Sequence, residues 1–95
     1  MALNEEKLDD FVHQVLGDLS ATTASVMVSL GDKLGLYQAM RDAGPLTPAA
    51  LADRSGCAER YVREWLNSQA AGGYINYHAD NGTYEMDAEQ AFVLA

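Results

Sequence analysis

Few side chains in this sequence could do covalent or metal chemistry, and they lie far apart. Cys57 is the only cysteine, and its position in a short turn predicts a small buried side chain rather than a nucleophile. His13 and His78 each lack a second histidine four residues away, so the spacing does not predict a zinc site. The sequence therefore predicts no catalytic residue and no metal site.

Oxygen-bearing side chains cluster near residue 80, but their order does not match a known site. Asp80, Asn81, Glu85 and Asp87 lack the Asp-x-Asp-x-Asp-Gly order of a calcium loop, which indicates a solvated hairpin. The one Gly-Gly pair, at 72–73, comes before a predicted strand rather than after one. The sequence therefore lacks the glycine-rich motif of a nucleotide-binding site. We expect no cofactor-binding residue in this chain.

Nucleic-acid recognition is the remaining chemistry to test. A helix that reads bases in the major groove needs Arg, Lys, Asn or Gln side chains on its exposed side. One predicted helix carries four such residues: Arg60, Arg63, Asn67 and Gln69. Glu59 and Glu64 offset the two arginines, and the following hairpin contains no Lys or Arg. The pattern favours surface ion pairs, and DNA contact by Arg60, Arg63 and Asn67 is the alternative.

The polar helix belongs to a recognisable series of elements. Thr47 is a good N-cap and Pro48 suits the first helical position, which predicts a helix to about Arg54. A turn containing Gly56 leads to a second helix from about Glu59, which two glycines at 72–73 end. Two β-prone segments follow, at 74–77 and 83–86, with an Asn-Gly turn signal between them at 81–82.

Helix, tight turn, helix and hairpin are typical of a winged helix-turn-helix. We therefore predict a mainly α fold, a winged helix-turn-helix with a small antiparallel β-hairpin wing, preceded by N-terminal helices. The expected division is residues 1–36 for those helices and residues 37–95 for the winged helix, within one compact domain overall.

The N-terminal segment carries a wide apolar stripe. Asn4 predicts the helix start, and Gly17 either weakens the helix or marks a bend. The small residues at 21–29 predict deep burial. Gly31 and Gly35 could each interrupt the helix. The stripe could cover the domain's own core or form a subunit interface, and we expect the interface residues to be Leu8, Phe11, Val12, Val15, Leu16, Leu19, Val26 and Met27.

The composition narrows the class further. The chain has 95 residues, 48% of them hydrophobic, which excludes a disordered segment. Its 14 acidic and 6 basic residues give a net charge of −8, which disfavours nucleic acid and anionic membranes as partners. One cysteine and no apolar signal sequence predict a cytoplasmic protein.

The end of the chain carries its own signal. Asp87 and Gln90 have capping-box spacing, so a helix is expected from Ala88. The last residues of the sequence, at 91–95, are apolar. We expect this helix to continue toward another domain, as in an N-terminal domain excised from a longer chain.

Four segments together resemble a known family: residues 31–37 (GDKLGLY), 44–48 (GPLTP), 59–66 (ERYVREWL) and 71–74 (AGGY). They resemble the N-terminal winged-helix domain of bacterial class I S-adenosylmethionine-dependent methyltransferases, which is similar in layout to plant small-molecule O-methyltransferases. The resemblance covers roughly residues 19–95.

The resemblance implies a homodimerisation and substrate-capping domain of a small-molecule methyltransferase, not itself catalytic. It also implies a following Rossmann-like domain that binds S-adenosylmethionine. That family's glycine-rich cofactor motif has no counterpart in this sequence, so no cofactor residue can be assigned. A winged-helix DNA-binding regulator is the alternative.

Overall fold

A single long helix opens the chain. The computed structural model describes residues 2–95, and α1 (Glu5–Lys33) occupies almost a third of them. The Asn4 side chain accepts a hydrogen bond from the Lys7 amide at 3.1 Å, as expected of an N-cap. Glu5 in the first turn and Lys33 in the last turn both complement the helix dipole.

The expectation of a break at Gly17 or Gly31 was wrong, because α1 is continuous through both glycines. Gly17 lies within the helix, since one interior glycine costs only about 1 kcal/mol and its neighbours favour the helix. Gly31 is also helical, and the break comes at Gly35, whose φ is 72°. The expected deep burial of residues 21–29 was also wrong: within that segment only Ala24, Met27 and Val28 are even half-buried.

Three shorter helices build the body of the domain. They are α2 (Leu36–Met40), α3 (Pro48–Ser55) and α4 (Glu59–Ala71). Thr47 caps α3 by accepting from the Ala50 amide at 3.2 Å, and Pro48 occupies its first turn, as predicted. Gly56, at φ 72°, makes the left-handed turn between α3 and α4, so the helix-turn-helix is confirmed.

The wing follows a glycine turn that ends α4. Gly73 has φ 79°, and the Tyr74 amide returns to the Gln69 carbonyl at 3.0 Å, which ends α4 in a Schellman motif. Strands β1 (Asn76–His78) and β2 (Thr83–Glu85) then pair antiparallel, with Tyr77 opposite Tyr84. The strands are shorter than predicted because Tyr74 and Ile75 complete the turn after α4.

Two contacts attach the wing to the rest of the chain. Leu46 and Tyr84 exchange both backbone hydrogen bonds, at 2.8 and 2.9 Å, so the segment before α3 extends the hairpin. After β2, helix α5 (Ala88–Leu94) begins with the predicted capping box of Asp87 and Gln90. The mainly α winged-helix fold is thus confirmed.

The core lies between α2, α3, α4 and the wing, and α1 packs against its edge at Met27 and Gly31. Gly31 is buried under the Trp65 indole, whose N–H donates to the Met27 carbonyl at 2.9 Å. Trp65 and Tyr37 pack edge to face with ring centroids 5.0 Å apart. The buried hydrophobic residues are Leu36, Tyr37, Met40, Leu51, Ala52, Val62, Trp65, Leu66, Ile75 and Tyr84.

One buried polar side chain completes this core. Gln69 is only 2% exposed, and its side-chain oxygen accepts a hydrogen bond from the Tyr37 hydroxyl. Burial, with smaller effects from Tyr74 and Asp32, raises the pKa of Tyr37 to about 12. The pair satisfies two polar groups that would otherwise be costly to bury.

Gly31→Ala should destabilise the protein by about 1–3 kcal/mol, because the added Cβ would lie against the Trp65 ring and 2.8 Å from Tyr37 Cε2. Gly17→Ala is the matched control, since nothing lies within 4 Å of its Cβ position. Urea denaturation of both variants measures the difference. Equal stability of Gly31→Ala and wild type would contradict the packing described above.

Stability should fall as the pH rises above about 10, where an unfolded tyrosine ionises while Tyr37 stays protonated to about 12. Tyr37→Phe should remove this part of the decline. The variant should also lose about 1–3 kcal/mol near neutral pH, because the Gln69 oxygen loses its partner. Urea midpoints across this pH range test both points, and parallel wild-type and variant profiles would refute the first.

Candidate functional site

An exposed apolar surface runs along α1. We define the α1 stripe as nine large hydrophobic residues on one side of the helix and its C-cap: Leu8, Phe11, Val12, Val15, Leu16, Leu19, Val26, Leu30 and Leu34. Their exposed fractions run from 37% at Val15 to 64% at Val26. Seven of the eight predicted interface residues thus lie exposed on one face.

The eighth predicted residue, Met27, has a different position. It is half-buried, packs against the core, and its carbonyl accepts the Trp65 N–H. Gly31, which marks the side of α1 that rests on the body, lies about 140° around the helix from Val26. The centre of the stripe therefore faces away from the domain's own core, whereas Leu16 lies at the edge nearest Met27, only about 60° from Gly31.

The size of the stripe is unusual for a monomer. Its exposed fractions correspond to roughly 900 Å², whereas the largest apolar patch on a typical monomer is about 300–600 Å². Every residue from 5 to 20 is exposed, so the first half of α1 has little packing from the body. At its end, Leu19 and Ser20 lie beside the last turn of α4. Burial at about 25 cal/mol per Å² would make covering this surface strongly favourable.

Three of the four polar side chains on the helix that would read DNA have partners within the chain. Arg63 Nη2 lies 2.7 Å from Glu59 Oε1, an exposed ion pair across one helical turn. The Tyr84 hydroxyl donates to the Asn67 side-chain oxygen. Gln69 was wrongly predicted to be available for base contact, because it is buried against Tyr37. Arg60 is exposed on the same helix.

The wing lacks the charge that a phosphate contact needs. His78 Nε2 and Glu85 Oε1 lie 2.9 Å apart across the hairpin, and Asp80 is exposed at its tip. Residues 76–85 contain no Lys or Arg. A DNA-binding wing places cations against the backbone, and this hairpin would present carboxylates instead.

A broad groove lies between α1 and α5. Its volume is about 590 Å³ and its walls are mostly apolar. Glu89 and Gln90 lie at its edge, and α5 also exposes Phe92 and Val93 to solvent. The groove is lined by Ala21, Ser25, Val28, Gly73, Tyr74, Glu89, Gln90, Val93 and Leu94.

Catalytic and metal chemistry find little support in these positions. Across residues 2–95, no group of three or more His, Cys, Asp or Glu side chains is placed to hold a metal ion. Cys57 is half-buried at the edge of the core rather than fully enclosed, and its thiol lies 3.8 Å from the Ser55 carbonyl.

No helix within residues 2–95 is both long and apolar enough to cross a bilayer.

These features define a winged-helix domain with an acidic wing and an exposed apolar helix. The sequence profile of the Rv2258c-like winged HTH domain matches residues 22–95, so the chain belongs to that family. A sequence comparison with curated proteins gave no match.

Solved structures with the same fold include several enzymes. The mitomycin 7-O-methyltransferase MmcR superposes with a TM-score of 0.82 at 21% identity, over 97% of this chain and 27% of its own. A putative O-methyltransferase from Nostoc punctiforme superposes with a TM-score of 0.72 at 18% identity, over 83% of this chain and 23% of its own. LepI in complex with SAM superposes with a TM-score of 0.70 at 17% identity, over 96% of this chain and 26% of its own. The chain thus spans about a quarter of the length of these structures.

The helical spacing in the sequence predicted that the apolar residues of α1 share one face. Leu30 and Leu34 continue that i, i+3, i+4 spacing and extend the stripe beyond the expected interface residues. The groove beside α5 had no comparable signal, because its walls come from segments up to 73 residues apart in sequence, from Ala21 to Leu94.

Proposed function

We propose that this chain is the N-terminal dimerisation and substrate-capping domain of an S-adenosylmethionine-dependent small-molecule methyltransferase, and that it is not itself catalytic. The observation that carries the proposal is the uncovered α1 stripe on a winged helix whose wing is acidic. A surface of this size and polarity suits a permanent protein contact. The likeness to MmcR and to the putative O-methyltransferase supports a methyltransferase parent.

The substrate-capping part of the proposal rests on the groove between α1 and α5. Its volume of about 590 Å³ lies within the roughly 300–1,000 Å³ of small-molecule sites, and such sites are mainly apolar with a few polar groups. In this chain Gln90 and Tyr74 are among the polar residues that line the groove. A second domain seated over the open side would enclose a small apolar substrate.

The cofactor belongs to the rest of the parent protein in this proposal. The solved LepI complex contains SAM, and residues 2–95 hold no glycine-rich loop after a strand that could cradle it. A Rossmann-like domain of the same parent is the expected partner that binds S-adenosylmethionine. We propose a cytoplasmic location, and the single cysteine among these 95 residues is consistent with it.

The chain should form a dimer of twice its 10.3 kDa mass when light scattering is measured behind size exclusion. Leu16→Lys should shift the population to monomer, because it places a charge within the buried contact. Gln14→Lys is the matched control, since Gln14 is exposed on the opposite side of α1.

Circular dichroism would check that both variants retain the fold. A wild-type chain that stays monomeric at high concentration would refute dimerisation, and so would an equal effect of the two lysine substitutions.

The competing function is DNA-binding regulation, which the helix-turn-helix itself favours. We expect no binding to duplex DNA at micromolar protein and low salt, and no effect of Arg63→Ala. Fluorescence anisotropy with a labelled duplex measures this. Salt-sensitive binding that weakens in Arg63→Ala would instead support a regulator.

A further inference from the structure

The segment of α1 from Leu8 to Leu30 has a pattern of apolar and threonine side chains that is nearly the same in both directions. Leu19 is the midpoint of this segment, whereas Phe11 is opposite the half-buried Met27 and Leu34 lies outside it. Leu8 mirrors Leu30, and Val12 mirrors Val26. We propose that two copies of this chain pair through α1 in antiparallel orientation, with Leu19 on the two-fold axis. The inference rests on the proposed dimerisation and specifies its partner surface and register.

Complementary size supports this register. Antiparallel pairing about Leu19 sets residue i against residue 38 − i, so Leu16 faces Thr22 and Val15 faces Thr23. Leu16 thus meets a smaller side chain, whereas Val15 and Thr23 are similar in size. A pairing of a large residue with a smaller one, as at Leu16 and Thr22, helps to fill the space between two helices without voids.

The two threonines can enter such an interface at low cost. Thr22 Oγ1 donates to the Asp18 carbonyl at 2.9 Å, and Thr23 Oγ1 donates to the Leu19 carbonyl at 3.2 Å. Their hydroxyls are therefore satisfied within α1, and burial would leave no polar group unpaired.

Charge distinguishes antiparallel from parallel pairing. Residues 5–19 of α1 carry five carboxylates and one lysine, whereas residues 20–33 carry only Asp32 and Lys33. Parallel helices would set two segments of net charge −4 side by side. Antiparallel helices place each acidic half beside a neutral one, with Lys33 near the partner's first turn, which lowers the repulsion.

The second half of α1 also offers space for the partner. A shallow groove of about 360 Å³ runs beside Val26 and Leu30, with Lys33 at its edge. In the proposed register Leu8 and Phe11 of the second copy lie against this segment. The exposed area of the stripe, roughly 900 Å², matches the about 800 Å² that each partner contributes to a standard interface.

Disulfide trapping in a Cys57→Ser background tests the register directly. Leu19→Cys should cross-link to its own copy on mild oxidation, because residues on a two-fold axis meet each other. Leu8→Cys alone should not cross-link, whereas a refolded mixture of Leu8→Cys and Leu30→Cys should give the mixed dimer. Gln14→Cys, off the stripe, is the negative control. Non-reducing electrophoresis shows which disulfide-linked dimers form. Light scattering on the reduced proteins measures the oligomeric state.

The outcomes separate this inference from the function on which it rests. A monomer by light scattering would refute both dimerisation and the register. A dimer in which Leu8→Cys cross-links to itself would overturn the antiparallel arrangement alone. A dimer in which Leu19→Cys fails to cross-link, while Leu8 and Leu30 do not pair, would place the interface on another face and would also overturn the inference.

Discussion

The contact of Trp65 with α1 holds this molecule together. Its indole N–H reaches the Met27 carbonyl at 2.9 Å, and its ring lies over Gly31 where a side chain would not fit. The same ring packs against Tyr37 of α2. One side chain of α4 therefore fixes the long helix and the short one together, and the rest of the packing depends on that close approach.

That contact also determines which part of α1 is left uncovered. Trp65 holds the helix near Met27 and Gly31, so the first half extends beyond the body and the molecule measures 57 × 30 × 26 Å. The apolar residues on that projecting half are exposed, and Leu19 is the one that lies beside the end of α4. The scaffold thus separates a packed helix-turn-helix from an apolar surface suited to another protein chain.

The sequence predicted best those elements whose ends are set by local chemistry. The Thr47 cap, the turn at Gly56 and the capping box at Asp87 act over three or four residues, and each was found as expected. The course of α1 was not predictable in the same way. An interior glycine such as Gly17 only lowers helix stability. Whether the helix breaks there depends on the helix propensities summed over all of its residues.

Burial was harder to predict than secondary structure. Small residues at 21–29 suggested a close helix contact, but only one side of α1 meets the body, at Met27 and Gly31. Gln69 lies on a helix with exposed polar neighbours, and its burial depends on Tyr37, 32 residues away. Such a pairing across the fold leaves no periodic signal along the chain.

The projecting half of α1 has a thermodynamic consequence. A segment of about fifteen residues that relies on its own backbone bonds is only marginally helical in water. Its order then becomes linked by mass action to whatever covers it. We therefore expect the ordered length of α1 to increase with the concentration of any chain that covers it.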